Sequence, residues 1–370
     1  MPELTPDERR RYGRHVVIPE VGEAGQLRLK TGSVLVVGAG GLGSPALLYL
    51  AAAGVGRIGI VEFDNVDESN LQRQVIYGTG DIGKPKIEAA QARLADVNPH
   101  VQVEPHAVRL DATNVIDLIS RYDVVIDGTD NFAARYLVND ACVLTGRPNV
   151  YGSVFRFEGQ VSVFATKEGP CYRCLHPEPP PPGVIPGCSE AGVLGVLPGL
   201  VGTIQANEAL KIIGGFGDPL IGRLLLIDAL GPRFREIRLP KDPGCPVCGD
   251  NPSITAPVEY TLLCGDLPVE EATEITAAEL RARIVAAGAA EPLLILDVRE
   301  PGEHAIDAIE GSRLIPLGEL ASRLGEIPRD RAIAAYCAAG MRSAKAAKLL
   351  RDKGFQAVSL KGGMAAWRGR

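Results

Sequence analysis

The chain has 370 residues, 46% of them hydrophobic and 23% charged, which excludes wholesale disorder and leaves room for two or three packed domains. Its 39 basic and 45 acidic side chains leave a net charge of −6, which speaks against nucleic acid as a partner despite the basic run Arg9-Arg10-Arg11-Tyr12-Gly13-Arg14. No apolar stretch approaches a membrane span and the acidic N-terminus has no apolar core, so neither a membrane partner nor a signal peptide is expected.

From residue 31 buried strands alternate with helices: strand 33–38, helix 43–53, strand 57–62, helix 84–97, strand 101–106, helix 113–119, strand 123–127, helix 131–145. Continuous Val/Ile/Leu runs between amphipathic segments predict a parallel sheet covered on both faces. Residues 148–165 alternate like a hairpin, 171–200 are rich in Pro and Gly, and a helix (199–213) and a strand pair (223–228, 234–239) follow. The α/β pattern restarts with helix 276–287, strand 293–297, short helix 317–322, strand 332–336, helix 341–353 and strand 357–359. The expected fold class is therefore α/β: a Rossmann-like domain over 1–250, a linker over 251–272 and a smaller α/β domain over 273–370.

Gly38-Ala-Gly40-Gly41-Leu-Gly43 follows an apolar strand and opens a helix, so backbone N–H groups and the helix dipole can meet a phosphate. Glu62 ends the next strand, where a Rossmann site places its ribose-binding carboxylate. A dehydrogenase would share both features. Asp64, Asn70, Arg73, Gln74, Lys84 and Lys86 favour a nucleoside triphosphate instead, because Arg and Lys neutralise a leaving pyrophosphate. Asp130 follows strand 123–127 at the ligand-binding edge of the sheet. Two roles stay open for it: a Mg²⁺ ligand, or the N-cap of helix 131–145.

Eight cysteines in such a chain predict thiol or metal chemistry in a reducing cytoplasm rather than disulfides. Cys171-Tyr-Arg-Cys174 and Cys245-Pro-Val-Cys248 are two CxxC knuckles, which together suit a tetrahedral structural Zn²⁺ better than a redox pair. Cys142 falls on the apolar face of its helix, and Cys264 has no evident role. Cys188, in Ile185-Pro-Gly-Cys-Ser-Glu-Ala-Gly192, is either an incidental exposed thiol or a nucleophile. Cys337 follows strand 332–336 and precedes a helix; loop N–H groups, the helix dipole and Arg342 would favour a thiolate or bound anion there.

Arg11-Tyr-Gly-Arg-His15, the glycine loop, Asp67-Glu-Ser-Asn-Leu-Gln-Arg-Gln74, Gly83-Lys-Pro-Lys86 and Asp127-Gly-Thr-Asp-Asn131 together resemble the ubiquitin-activating-type adenylyltransferases, in their MoeB/ThiF branch. The resemblance implies that Gly41, Glu62, Ser69, Asn70, Leu71, Gln72, Arg73, Lys86, Asp130 and Asn131 meet ATP and Mg²⁺, with Arg14 acting in trans across a homodimer. It also implies a catalytically silent Zn²⁺ on the four knuckle cysteines, and a Cys188 that attacks the acyl-adenylate or bridges to the carrier. Glu62 departs from the Asp often found in this branch.

Cys337-Ala-Ala-Gly-Met-Arg342-Ser, with Leu296-Asp-Val-Arg-Glu-Pro301, Leu314-Ile-Pro-Leu-Gly-Glu-Leu320 and Leu360-Lys-Gly-Gly-Met-Ala-Ala-Trp367, resembles the rhodanese sulfurtransferases. Cys337 would then carry a persulfide that Arg342 and the loop amides stabilise. Residues 303–312 depart from the usual pattern and are expected to lie away from the nucleophile, with Asp297 and Arg299 pinning the loop from beneath.

The order of the two domains resembles that of rhodanese-fused MoeB (MoeZ-like) proteins. It implies adenylation of a small β-grasp sulfur carrier ending in Gly-Gly, then sulfur delivery from Cys337 to give a thiocarboxylate, in molybdopterin synthesis or a related pathway. The sulfur donor would be thiosulfate or a persulfide. The alternative is a ubiquitin-like activating enzyme with a thioester on Cys188, which leaves the rhodanese domain unexplained.

Overall fold

A computed structural model describes residues 3–179, 192–231, 233–259, 274–286, 293–338 and 340–369, and the chain divides into two compact units, Met1–Cys264 and Gly265–Arg370. Cys188 and Cys264 lie outside the described residues, as do the adjoining stretches of the Pro/Gly-rich loop and the expected linker.

The first unit is built on an eight-stranded sheet in the order β3-β2-β1-β4-β5-β6-β7-β8. Its strands are β1 (Ser33–Val37), β2 (Arg57–Val61), β3 (Gln102–His106), β4 (Val124–Asp127), β5 (Asn149–Phe155), β6 (Glu158–Phe164), β7 (Arg223–Asp228) and β8 (Arg233–Arg238). β3 to β5 run parallel in that spatial order, and β6, β7 and β8 extend the sheet antiparallel. All five residues of β1 are buried, as a strand covered on both faces requires. Helices Gly43–Ala53, Lys86–Val97 and Val196–Gly214 close one face through Leu47, Leu50, Ala90, Leu94, Ala206 and Ala209, packed on Val34, Val36, Ile58 and Ile60. Helices Val115–Ser120 and Phe132–Thr145 close the other through Val115, Ile119, Leu137, Val138 and Cys142, packed on Leu35 and Val125. Cys142 is thus a core residue, as its helical position predicts.

The expected parallel sheet is present over β1 to β5, and β1 lies between β2 and β4, so the strand order reverses beside it. That reversal opens a crevice at the carboxyl edge of β1 and β4. Three helices before the sheet, Pro6–Arg11, Gly13–Val16 and Gly22–Thr31, go beyond the expected elements. Their first turn does carry a sequence signal: Thr5 and Glu8 form a reciprocal capping box, with Glu8 N–H to Thr5 Oγ1 at 3.2 Å and Thr5 N–H to Glu8 Oε2 at 2.7 Å.

The second unit holds a five-stranded, all-parallel sheet in the order β11-β10-β12-β13-β9. Its strands are β9 (Glu274–Ile275), β10 (Leu293–Asp297), β11 (Arg313–Leu314), β12 (Ala332–Tyr336) and β13 (Ala357–Leu360). Strands 293–297 and 332–336 and helix Met341–Asp352 stand where the hydrophobic pattern puts them. The two-residue strands β9 and β11 and the short helices Pro301–Ile306 and Gly363–Trp367 are too brief for periodicity to reveal.

Candidate active sites

The glycine loop works because two positions cannot carry a side chain. Gly38 has φ +89°, in the left-handed region, and a Cβ at Gly43 would overlap the Gly38 carbonyl. The turn therefore folds tightly enough to bring helix Gly43–Ala53 over the carboxyl edge of β1. Glu62 closes the loop from the side and is only 7% exposed. One carboxylate oxygen accepts the Ala39 N–H at 3.1 Å, and the other accepts those of Phe63 and Asp64 at 2.9 and 3.0 Å. Tyr77 ties the same loop through an O–H to the Ala39 carbonyl at 2.9 Å.

Around this loop lies a cavity of about 380 Å³. Of the nucleotide-site residues expected from sequence, Gly41, Glu62, Arg73, Lys86, Asp130 and Asn131 line it, together with Asp64 and Gln74. Lys86 begins helix Lys86–Val97, is 6% exposed and pairs with Asp64 at 3.3 Å. Ser69, Asn70, Leu71 and Gln72 are not in the wall. Asn70 accepts the Asp67 N–H at 3.1 Å and so caps the short 3₁₀ turn Glu68–Asn70, Ser69 offers its carbonyl to Arg73 Nη1 at 3.0 Å, and Leu71 packs against the core. Gln72 lies against Gly195. The Ser69 carbonyl thus holds the guanidinium of Arg73, which lines the cavity. Lys84 faces solvent in an ion pair with Asp81 at 3.0 Å. Arg14 is exposed on helix Gly13–Val16, outside the cavity wall.

The N-cap of helix Phe132–Thr145 is Asn131, whose Oδ1 accepts the Ala134 N–H at 2.9 Å. The capping role weighed for Asp130 thus belongs to its neighbour, and the exposed Asp130 carboxylate faces the cavity. Two residues beneath it escape sequence reading. Asp127 is wholly buried; burial pushes its carboxyl up, and Arg135 and the Thr129 hydrogen bonds only partly oppose this. Arg135 lines the cavity against the faces of Tyr151 and Phe132, at 5.2 and 5.7 Å. Arg135 lies one helical turn beyond the cap, a position that reads as ordinary helix surface until the sheet behind it is known. Glu259, in the expected linker, also reaches the wall and accepts the Ala112 N–H at 3.2 Å.

The two CxxC knuckles meet. The Sγ atoms of Cys171, Cys174, Cys245 and Cys248 all lie within 4.8 Å of one another, with Cys171–Cys245 at 3.5 Å and Cys174–Cys248 at 3.4 Å. A tetrahedral Zn²⁺ with four thiolates would set sulfur–sulfur edges of about 3.8 Å, so the cluster fits that ion. All four are free thiols. The first knuckle is anchored from helix Phe132–Thr145: Asn139 Oδ1 accepts the Tyr172 N–H at 2.7 Å, and Asp140 pairs with Arg173 through bonds of 2.8 and 2.9 Å. That ion pair is buried on both sides.

In the second unit Cys337 ends β12 and is 2% exposed. Its Sγ accepts the Gly340 N–H at 3.1 Å, and the Ser343 hydroxyl lies 3.6 Å away. Gly340, at φ +97°, turns the chain into helix Met341–Asp352. A Cβ at Gly363 would overlap the Cys337 carbonyl, which accepts the Met364 N–H at 2.8 Å, so the Gly-Gly of Leu360-Lys-Gly-Gly allows the last helix to clasp the loop. Beneath it, the buried Asp297 accepts from Arg299 Nη2 at 2.7 Å, and from His304 and Tyr336 at 2.8 Å each. Burial would raise this carboxyl, but those bonds hold it below the usual carboxylate range. Asp297 and Arg299 thus hold Tyr336, the residue before Cys337, through its hydroxyl and through its ring face at 5.2 Å.

One expectation fails. Residues 303–312 do not lie away from the nucleophile loop: Glu303 grips Arg342 with both carboxylate oxygens, at 2.7 Å each. The helix Pro301–Ile306 that brings it there is only six residues long and invisible to periodicity.

The ThiF family matches residues 12–247 and the rhodanese-like domain matches residues 276–370. Over 98% of its length the chain is 48% identical to the probable adenylyltransferase/sulfurtransferase MoeZ of Mycobacterium tuberculosis, 94% of which it covers. It is 54% identical, over 70% of its length, to the sulfur carrier protein adenylyltransferase of Thermus thermophilus, covering 98% of that protein. It is 42% identical, over 98% of its length, to the adenylyltransferase and sulfurtransferase MOCS3 of Sus scrofa, covering 86%. Among solved structures it resembles E. coli MccB with ATP, with a TM-score of 0.56 and 22% identity over 61% of this chain and 70% of that one, a likeness of fold. The chain belongs to the ThiF family, and its second unit is a rhodanese-like domain.

Proposed function

We propose that the first unit adenylates the C-terminal carboxylate of a small sulfur carrier protein with ATP, and that Cys337 of the second unit supplies the sulfur. The observation that carries this reading is one cavity at the carboxyl edge of β1 and β4 that gathers a glycine loop, Arg73, Lys86 and Asp130. The family relatives named for both activities support it.

In that reading a carboxylate oxygen of the carrier attacks the α-phosphorus of ATP, and pyrophosphate leaves. No protein nucleophile is needed; the site positions the reactants and meets developing charge. The loop amides and helix N-terminus of Gly43–Ala53 face the phosphates, and Glu62 the ribose. Arg73 and Lys86 neutralise the pyrophosphate, and Arg14 from a second copy of the chain adds to them. Asp130, free of capping duty, is the group to hold Mg²⁺, which when bound neutralises the triphosphate.

The acyl-adenylate is an electrophile matched to a sulfur nucleophile. The persulfide on Cys337 attacks the acyl carbon, the acyl–phosphate oxygen bond breaks, and AMP leaves. The acyl disulfide left on Cys337 is opened by a second thiol, for which Cys188 is the proposed group. That thiol attacks the Cys337 sulfur, the sulfur–sulfur bond to the carrier breaks and the thiocarboxylate leaves. The enzyme disulfide that forms is reduced by an external dithiol. Joining both activities in one chain raises the effective concentration of the sulfur donor at the adenylate. The carrier is a β-grasp protein ending in Gly-Gly, the enzyme is a cytoplasmic homodimer holding a structural Zn²⁺, and molybdopterin synthesis is one pathway it would serve.

Intact-mass measurement of Gly-Gly carriers incubated with this protein, Mg-ATP and a sulfur donor tests the reading. A carrier that exchanges one oxygen for sulfur, and fails to do so with Cys337→Ala, is the expected result. A carrier that stops at an adduct on Cys188 would instead indicate a conjugating enzyme.

A further inference from the structure

The reading above leaves open which sulfur donor charges Cys337, and the Glu303–Arg342 pair bears on that choice. Arg342 follows the nucleophile loop at the head of helix Met341–Asp352, and its side chain is 11% exposed. Both of its terminal nitrogens donate to Glu303 at 2.7 Å. Glu303 is itself fixed, because its Oε2 also accepts the Glu300 N–H at 3.0 Å. The carboxyl would be raised by burial but is held below its usual range by Arg342 and that N–H, so it is a carboxylate at neutral pH. A second cation of this unit is paired as well: Arg299 with Asp297, which also accepts from His304. The cation beside the loop is thus offset at close range.

We propose that Glu303 is a specificity-determining residue that favours persulfides carried on thiols over small dianionic sulfane donors such as thiosulfate. The proposal rests on the reading of Cys337 as the sulfur-bearing group. A dianion needs surplus positive charge, and here it must compete with a bidentate carboxylate for the same guanidinium. A persulfide R–S–SH makes no such demand. The Cys337 thiolate attacks its outer sulfur, the sulfur–sulfur bond of the donor persulfide breaks, and R–S⁻ leaves as Cys337–S–SH forms. One sulfur–sulfur bond replaces another without net oxidation.

The test uses the full chain with cyanide as sulfur acceptor, comparing thiosulfate with glutathione persulfide for the parent, Glu303→Gln and Glu303→Asp. Glu303→Gln is expected to shift the kcat/KM ratio toward thiosulfate by about tenfold, mainly through KM, whereas Glu303→Asp keeps the parent ratio because the charge remains. A second readout needs no sulfur transfer: the alkylation rate of Cys337 by anionic iodoacetate relative to neutral iodoacetamide, followed by peptide mass spectrometry. That ratio should rise about fivefold in Glu303→Gln. An unchanged ratio in both assays, or an equal loss with both donors, overturns the proposal. If the parent transfers sulfur from neither donor, the reading of Cys337 falls instead, and the alkylation ratio still decides the charge assignment.

Discussion

Asp130 and Asn131 are adjacent polar residues that divide two tasks by geometry. Asn131 satisfies the helix N-terminus, leaving the Asp130 carboxylate for the cavity. Asp130→Ala is therefore expected to lower ATP–pyrophosphate exchange by at least about a hundredfold, on the scale of losing a key electrostatic group, with little change in melting temperature. Asn131→Ala, by contrast, should cost about 1 kcal/mol of stability as a lost cap. Full exchange activity in Asp130→Ala would remove it from the Mg²⁺ role. In the second unit Asp297 has a pKa held below normal, so its stabilising effect is complete above the unfolded carboxylate value of about 3.9 and is lost as pH falls through the lowered folded value. Acid titration of Asp297→Asn should show a less stable domain at neutral pH and a weaker loss of stability below pH ~4.

At the scale of elements, the central strands β1 and β4 were legible because each is dominated by a Val/Leu/Ile run, and β1 is buried along its whole length. Helix Gly43–Ala53 was legible from the glycines that open it. Gly43→Ala places a Cβ on the Gly38 carbonyl, so it is expected to destabilise the first unit and abolish ATP binding, measurable by thermal shift with and without nucleotide. The four-cysteine cluster is an element that the chain cannot close locally, since one pair belongs to the short helix Tyr172–Leu175 and the other to a segment far along the sequence. Its anchor is the buried Asp140–Arg173 pair; Asp140→Ala should cost about 3–5 kcal/mol by stranding the guanidinium, and chelation of the proposed Zn²⁺ should lower the melting temperature of the same unit. Unchanged melting after quantitative zinc removal would mean that the cysteines do not support the fold. The short helix Pro301–Ile306 was not legible, because six residues carry too little periodicity, and so its Glu303 escaped notice.

For the whole molecule, the division into two compact units predicts separable half-reactions. Cys337→Ala should abolish sulfur transfer while carrier-dependent pyrophosphate exchange stays within about twofold, as expected for independent sites; loss of exchange would show that the two are coupled. The sequence by itself determined the α/β class, the glycine loop, the two CxxC pairs and the Cys337 loop, because each is written in a local pattern of apolar period, glycine placement or cysteine spacing. Only the tertiary structure decided which polar groups share a wall or a partner. It brought Arg135 and Glu259 to the cavity and set Glu303 against Arg342. Those meetings join residues tens of positions apart, and a side chain's direction across such a distance is fixed by how strands and helices pack, which no local spacing encodes.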